Sequence, residues 1–195
     1  TNKSVYDGDR TVKVEKLWRD GEDSTNRPSE LSIYLLRNGL RYSEQKMNAT
    51  SGWTVTFDKL PAKDRNGNPY TYTVEEPLVD GYAEGVIKQT TDGFAITNVQ
   101  LTTINGEKKW EGDTDHEDAR PASIQVQLLA GGSVVKTTTA TASDEWKFVF
   151  EDVPKYDNDG KLIIYTVKEV RPDTEEWTKL YTTCLLYTSD AADDK

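Results

Sequence analysis

Apolar and polar residues alternate over short stretches of this chain, and Asn-Gly, Gly-Asn, Asp-Gly and Gly-Gly pairs separate the stretches. Successive side chains of a strand point to opposite faces, so alternation marks half-buried strands and the dipeptides supply the turns between them. Val, Ile, Thr, Tyr and Trp dominate the stretches, and no segment of ten residues carries a 3.6-residue apolar period. The pattern predicts an all-β chain.

The pattern also repeats. EKLW at 15–18 returns as EKKW at 107–110, and RPSELSIYLLRNG at 27–39 returns as RPASIQVQLLAGG at 120–132. GWTVTFDKLPAKDRNG at 52–67 matches EWKFVFEDVPKYDNDG at 145–160, and YTVEE at 72–76 matches YTVKE at 165–169. The offsets are 92 or 93 throughout, and four matched blocks in one order exclude chance. Two tandem β-sandwich modules follow, the first over about 9–100 and the second from 101. The first module ends ITN, and TNK opens the chain, so residues 1–8 read as the remnant of a preceding repeat and a linker.

Strand parity puts polar groups on the apolar faces at matched places. Val12, Val14, Lys16 and Trp18 share one side of the first strand, and Ile104, Gly106, Lys108 and Trp110 repeat the set. Tyr70, Tyr72, Val74 and Glu76 share a face of a later strand, as do Ile163, Tyr165, Val167 and Glu169. Phe94, Ile96 and Asn98 share a third, which sends Asn98 inward at the end of the first module.

Composition narrows the function classes. With 34 acidic against 24 basic residues, a net charge of -10 argues against nucleic acid and anionic membrane surfaces as partners. No apolar run approaches a membrane span, and residues 1–20 lack the apolar stretch of a secretion signal, so the chain reads as an interior piece of a longer protein. Cys184 is the single cysteine, which excludes an intramolecular disulfide. His116 is the single histidine, which excludes a His-based triad and a multi-His metal site.

A charge in an apolar core tends to neutralise: a buried Lys sheds its proton and a buried Glu keeps one. A neutral amine beside an amide carbonyl that a carboxylic acid polarises attacks that carbon, expels ammonia and leaves an isopeptide bond. Parity alone fits this chemistry at Lys16, Glu76 and Asn98, and it equally fits a buried ion pair with an asparagine capping backbone groups.

The motifs carry a resemblance. EK-x-W, an acidic loop ending in Arg-Pro, a strand ending in LL before a Gly turn, a Trp-led strand, YTV-x-E, GY and a closing ITN resemble the B-type repeat of collagen adhesins of Gram-positive surface proteins, over about residues 9–180. The resemblance implies a prealbumin-like or inverse immunoglobulin-like sandwich, serving as a stalk outside the cell at the cell wall. It also implies the autocatalytic Lys–Asn or Lys–Asp isopeptide bond, promoted by a Glu or Asp, that many repeats of that kind hold. It implies Lys16 as amine donor, Asn98 as acceptor and Glu76 as catalytic acid. Lys108 and Glu169 match in the second module, and Asn2 matches the acceptor of the preceding one. No cofactor and no metal are implied. The partners implied are neighbouring repeats and, through a distal domain, a host matrix ligand.

The second module departs from the pattern. After YTVKEVRPDTEEWTKLYTT no GY and no ITN arrive, and CLLYTSDAADDK closes the chain. The expectation is a second module over 101–181 without its last strand or an acceptor, and a non-native tail over 182–195.

Other constellations are weaker. Asp113, Asp115, His116, Glu117 and Asp118 lack the spacing of a calcium loop and read as a solvated loop. Glu75 and Glu76 are strand neighbours that point to opposite faces and cannot flank one glycosidic bond. Trp18, Trp53, Trp110, Trp146 and Trp177 offer the aromatic faces of a sugar-stacking platform, but the first four recur in repeat register, as core residues do. The alternative function, a module that itself binds host matrix or glycan, calls for a distinctive loop in one copy, and the copies are near-equivalent.

Overall fold

The computed structural model describes residues 10–21, 23–113 and 117–170, and the backbone of 185–189. Contacts divide the chain into two units, Thr1–Gln100 with Tyr156–Gly160, and Leu101–Lys155 with Lys161–Lys195.

In the first unit β1 (Arg10–Arg19), β2 (Leu31–Arg37), β3 (Leu40–Met47), β4 (Thr54–Leu60), β5 (Tyr72–Glu75), β6 (Val86–Gln89) and β7 (Gly93–Val99) form two sheets, β4-β1-β7-β6 and β3-β2-β5. Alternation decides what each sheet buries. One face supplies Val12, Val14, Val55, Phe57 and Ile96 to the core, and the other supplies Leu31, Ile33, Leu35, Tyr72 and Val74. The result is a sandwich closed by its inward residues.

The first and last strands of this unit are neighbours. β7 runs parallel to β1, with Lys13 opposite Gly93, Lys16 opposite Ile96 and Trp18 opposite Asn98. The approach is close where the pairing starts: Lys13 N donates to Asp92 O at 2.9 Å, and a Cβ on Gly93 would lie 2.0 Å from Lys13 O. Only glycine fits there.

In the second unit β8 (Leu101–Lys108), β9 (Ser123–Ala130), β10 (Ser133–Thr141), β11 (Lys147–Pro154), β12 (Tyr165–Val170) and β13 (Leu185–Ser189) form β11-β8-β13 and β10-β9-β12. The orders β4-β1 and β3-β2-β5 are thus repeated strand for strand. So is the core, in which Ile104, Phe148 and Phe150 face Ile124, Val126 and Leu128.

Even the irregularities repeat. Lys59 and Asp152 hold left-handed φ of 53° and 52°, each where the pairing with the first strand of its module slips register. Trp53 and Trp146 are also left-handed, at 55° and 61°, each preceded by a second left-handed residue, Gly52 or Glu145. A side chain in that region is strained, so these turns are held by what the tryptophans pack against.

One expectation is corrected. Leu185–Ser189, expected to lie beyond a truncated module, form a strand on the free side of β8, the side that β7 covers on β1. β13 runs antiparallel to β8, whereas β7 runs parallel to β1, and its sequence LLYTS contains no asparagine. The edge of β8 is paired because strand pairing needs only backbone groups in an extended segment, which the sequence pattern of the lost ITN did not signal.

Candidate functional site: a buried amine, acid and amide

The β1 sequence places Lys16 between Val14 and Trp18 on the inner face, and the side chain of Lys16 has no solvent exposure. Glu76, just past β5, turns its side chain inward to 3% exposure, while Glu75 faces out and pairs with Arg41. Asn98 on β7 is 1% exposed. Parity therefore places all three residues as expected. The parallel register sets Lys16 and Asn98 one diagonal step apart on the same face, because Lys16 lies opposite Ile96 and Asn98 opposite Trp18. Lysine is long enough to span such a step.

Lys16 Nζ lies 2.7 Å from Glu76 Oε1, an ion-pair distance. The angle is poor, however, and neither atom completes a well-formed hydrogen bond. Asn98 Nδ2 and Oδ1 are likewise buried without a hydrogen-bond partner. A single buried polar group left unbonded costs about 1–3 kcal/mol, so four such atoms on three matched residues call for an explanation. Burial lowers the Lys16 pKa from 10.5 to about 8, against the opposing pull of the adjacent Glu76 carboxylate. The amine also sits 4.4 Å from the centroid of the Trp18 ring, whose face is electron-rich.

The second module repeats the first two members. Lys108 Nζ donates to Glu169 Oε2 at 3.3 Å, with side chains 2% and 1% exposed, and Lys108 stands 4.9 Å from the Trp110 ring centroid. Leu185 of β13 lies opposite Lys108, so no asparagine of β13 approaches that amine.

Sequence reasoning missed a second buried cluster beside the site. Asp20, fully buried, accepts from Arg27 Nε and Nη2, each at 2.7 Å, and from the Tyr82 hydroxyl at 2.8 Å. Burial and the adjacent Asp20 charge raise the Tyr82 pKa well above its ordinary value, so the hydroxyl stays a donor. Asp113 accepts from Arg120 Nε at 2.8 Å and Nη2 at 2.9 Å in the second module. This corrects the expectation of a solvated acidic loop: Asp113 is buried and clamps the Arg of the Arg-Pro pair. The signal was present, since an aspartate stands seven residues before that arginine in both copies. Among the described residues no group of three or more His, Cys, Asp and Glu side chains is placed to hold a metal ion.

The four described tryptophans belong to the core or pack against it. Trp18 meets Trp53 edge to face at 5.0 Å and Tyr82 at 4.9 Å, and Trp110 meets Trp146 at 4.9 Å. Arg27 and Arg120 lie over Trp18 and Trp110 at 5.7 and 5.5 Å. The aspartate–arginine clamp thus braces the ring that walls the amine in each module. Asn2, Asp115, His116, Trp177 and Cys184 lie outside the described residues.

Comparison with known proteins gives the same repeat twice. The family model described as Cna protein B-type domain matches residues 12–99 and 104–189. A collagen adhesin of Staphylococcus aureus is 36% identical over 189 residues, which are 94% of this chain and 15% of that protein. The crystal structure of two B repeat units of the collagen binding protein of the same organism is 34% identical, with a TM-score of 0.42, covering 85% of this chain and 45% of that one. A single B repeat unit of that protein is 25% identical, with a TM-score of 0.40, over 85% of this chain and 87% of that one.

Proposed function

Because the chain belongs to the Cna protein B-type domain family, we propose that it supplies stalk repeats of a surface adhesin or pilin-like protein outside the cell, and that its first module locks itself with a Lys16–Asn98 isopeptide bond. The observation that carries the lock is the burial of Lys16 Nζ, 2.7 Å from Glu76 Oε1 and one diagonal step from Asn98, with the amine, that carboxyl oxygen and the Asn98 amide all without completed hydrogen bonds.

The chemistry balances within the chain. Glu76 takes a proton from Lys16 and presents it to the Asn98 carbonyl oxygen. The neutral Nζ attacks Cγ, and the Nζ–Cγ bond forms. The surplus Nζ proton passes through Glu76 to Nδ2, the carbonyl re-forms as the Cγ–Nδ2 bond breaks, and the proton released from its oxygen returns through Glu76 to the departing ammonia, which leaves as ammonium. Glu76 ends as it began, so the reaction is a single turnover that consumes its own nucleophile and acceptor.

A bond between residues 82 positions apart ties the first strand to the last. By the chain-entropy argument for crosslinks, closing such a loop disfavours the unfolded chain by about 4 kcal/mol, and an amide resists reduction where a disulfide does not. That suits a spacer under tension. The chain spans 15% of the collagen adhesin it resembles, so the anchoring to the cell wall and any matrix ligand would reside in other parts of the protein. In a proteolytic digest of the folded chain, a branched peptide joining the Lys16 and Asn98 segments supports the lock, and recovery of both as separate unmodified peptides overturns it.

A further inference from the structure

Gly85 lies in the connection leading into β6, and its φ is outside the left-handed region, so its backbone suits any residue. What it lacks is room. A Cβ at this position would come 2.5 Å from Glu76 Oε2, 2.7 Å from Asn98 Oδ1 and 2.8 Å from Ile96 Cγ2. The acid oxygen and the amide oxygen therefore converge on one point, and the glycine leaves that point empty.

We propose that Gly85 is a positioning residue of the crosslinking site: its missing side chain leaves the Glu76 carboxyl within reach of the Asn98 carbonyl oxygen. This rests on the crosslink reading above. The acid must deliver its proton to Oδ1, and both the acid and the amide oxygen lie against the point where a Cβ of residue 85 would stand. A methyl group inserted between them would push the Glu76 carboxyl away from the amide oxygen. Displacement of a reacting group by about 1 Å can cost a hundredfold in rate.

The test is the rate of ammonia loss, followed by intact mass after refolding of the full chain and expressed per folded molecule. Gly85→Ala is expected to slow it on the order of a hundredfold. In a Glu76→Asp background, where the carboxyl is set back by one methylene from the contested point, Gly85→Ala is expected to slow the reaction far less. A merely structural role predicts an unchanged rate per folded molecule, and that result overturns the proposal. Equal slowing in both backgrounds overturns it as well, because the methyl would not then act through the Glu76 side chain. A wild-type chain that never loses ammonia sinks the crosslink reading itself, whereas a wild type that loses it with Gly85→Ala keeping pace sinks only the role of Gly85.

Discussion

Lys16 Nζ stands 2.7 Å from Glu76 Oε1, and both side chains are buried from solvent. The ion pair and the reactive arrangement hold the same single proton, on the amine in one case and on the acid in the other. Their ratio is therefore independent of pH as long as the pair keeps that proton. Lys16 titrates at about 8, the pH at which the pair loses it. Ammonia loss is expected to be flat across the neutral range and to fall about tenfold per unit well above pH 8. Rates from intact mass at a series of pH values check this, and a rate that climbs through pH 8 contradicts a role for Glu76 as an acid.

Stability before crosslinking follows the same group with a different sign. In an Asn98→Ala chain Lys16 stays free, with its folded pKa at about 8 against an unfolded value of 10.5. Between those values the unfolded chain binds the extra proton, so stability rises with pH through that window, by roughly 3 kcal/mol at most. Urea unfolding at pH 7.5 and pH 10 measures the gain, which should vanish when Lys16→Met is added to Asn98→Ala.

Glu76→Gln keeps the shape of the acid and removes its proton chemistry. The variant is expected to retain its ammonia and to lower the thermal midpoint of the first module on the order of 20 °C, as about 4 kcal/mol of loop closure implies for a module of this size. Calorimetry of wild type and variant decides the point.

Lys108 and Glu169 have no acceptor on β13 and remain an ion pair. Removing one partner leaves the other charged and buried, so Lys108→Met alone should cost roughly 3–5 kcal/mol. Pairing it with Glu169→Leu should restore most of that loss. Chemical denaturation of the two variants gives both numbers.

Tyr82→Phe deletes one of the three hydrogen bonds to the buried Asp20 carboxylate. The expected loss is about 2 kcal/mol in the unfolding free energy, the worth of a hydrogen bond to a charged group.

How much of this was legible depended on periodicity. Lys16, Glu76 and Asn98 lie on or next to strands, where a period of two fixes the face, so their burial could be read residue by residue. Asp20 and Arg27 lie in and beside an irregular loop, where no period defines an inside, and their third partner Tyr82 is 62 residues away. Gly85 was silent for a related reason, since a glycine chosen for space leaves no apolar pattern and its neighbours in space come from two other segments. β13 escaped because nothing in LLYTS repeats the first module, and its pairing with β8 rests on backbone groups alone.

The central claim reduces to the intact mass of the folded full-length chain. The self-locking account predicts a deficit of one ammonia, and one only, because the first module has its acceptor and β13 offers none to the second. The deficit must disappear in Lys16→Ala and in Glu76→Ala. A wild-type chain at its full calculated mass would contradict the account and leave Lys16 and Glu76 as a buried ion pair.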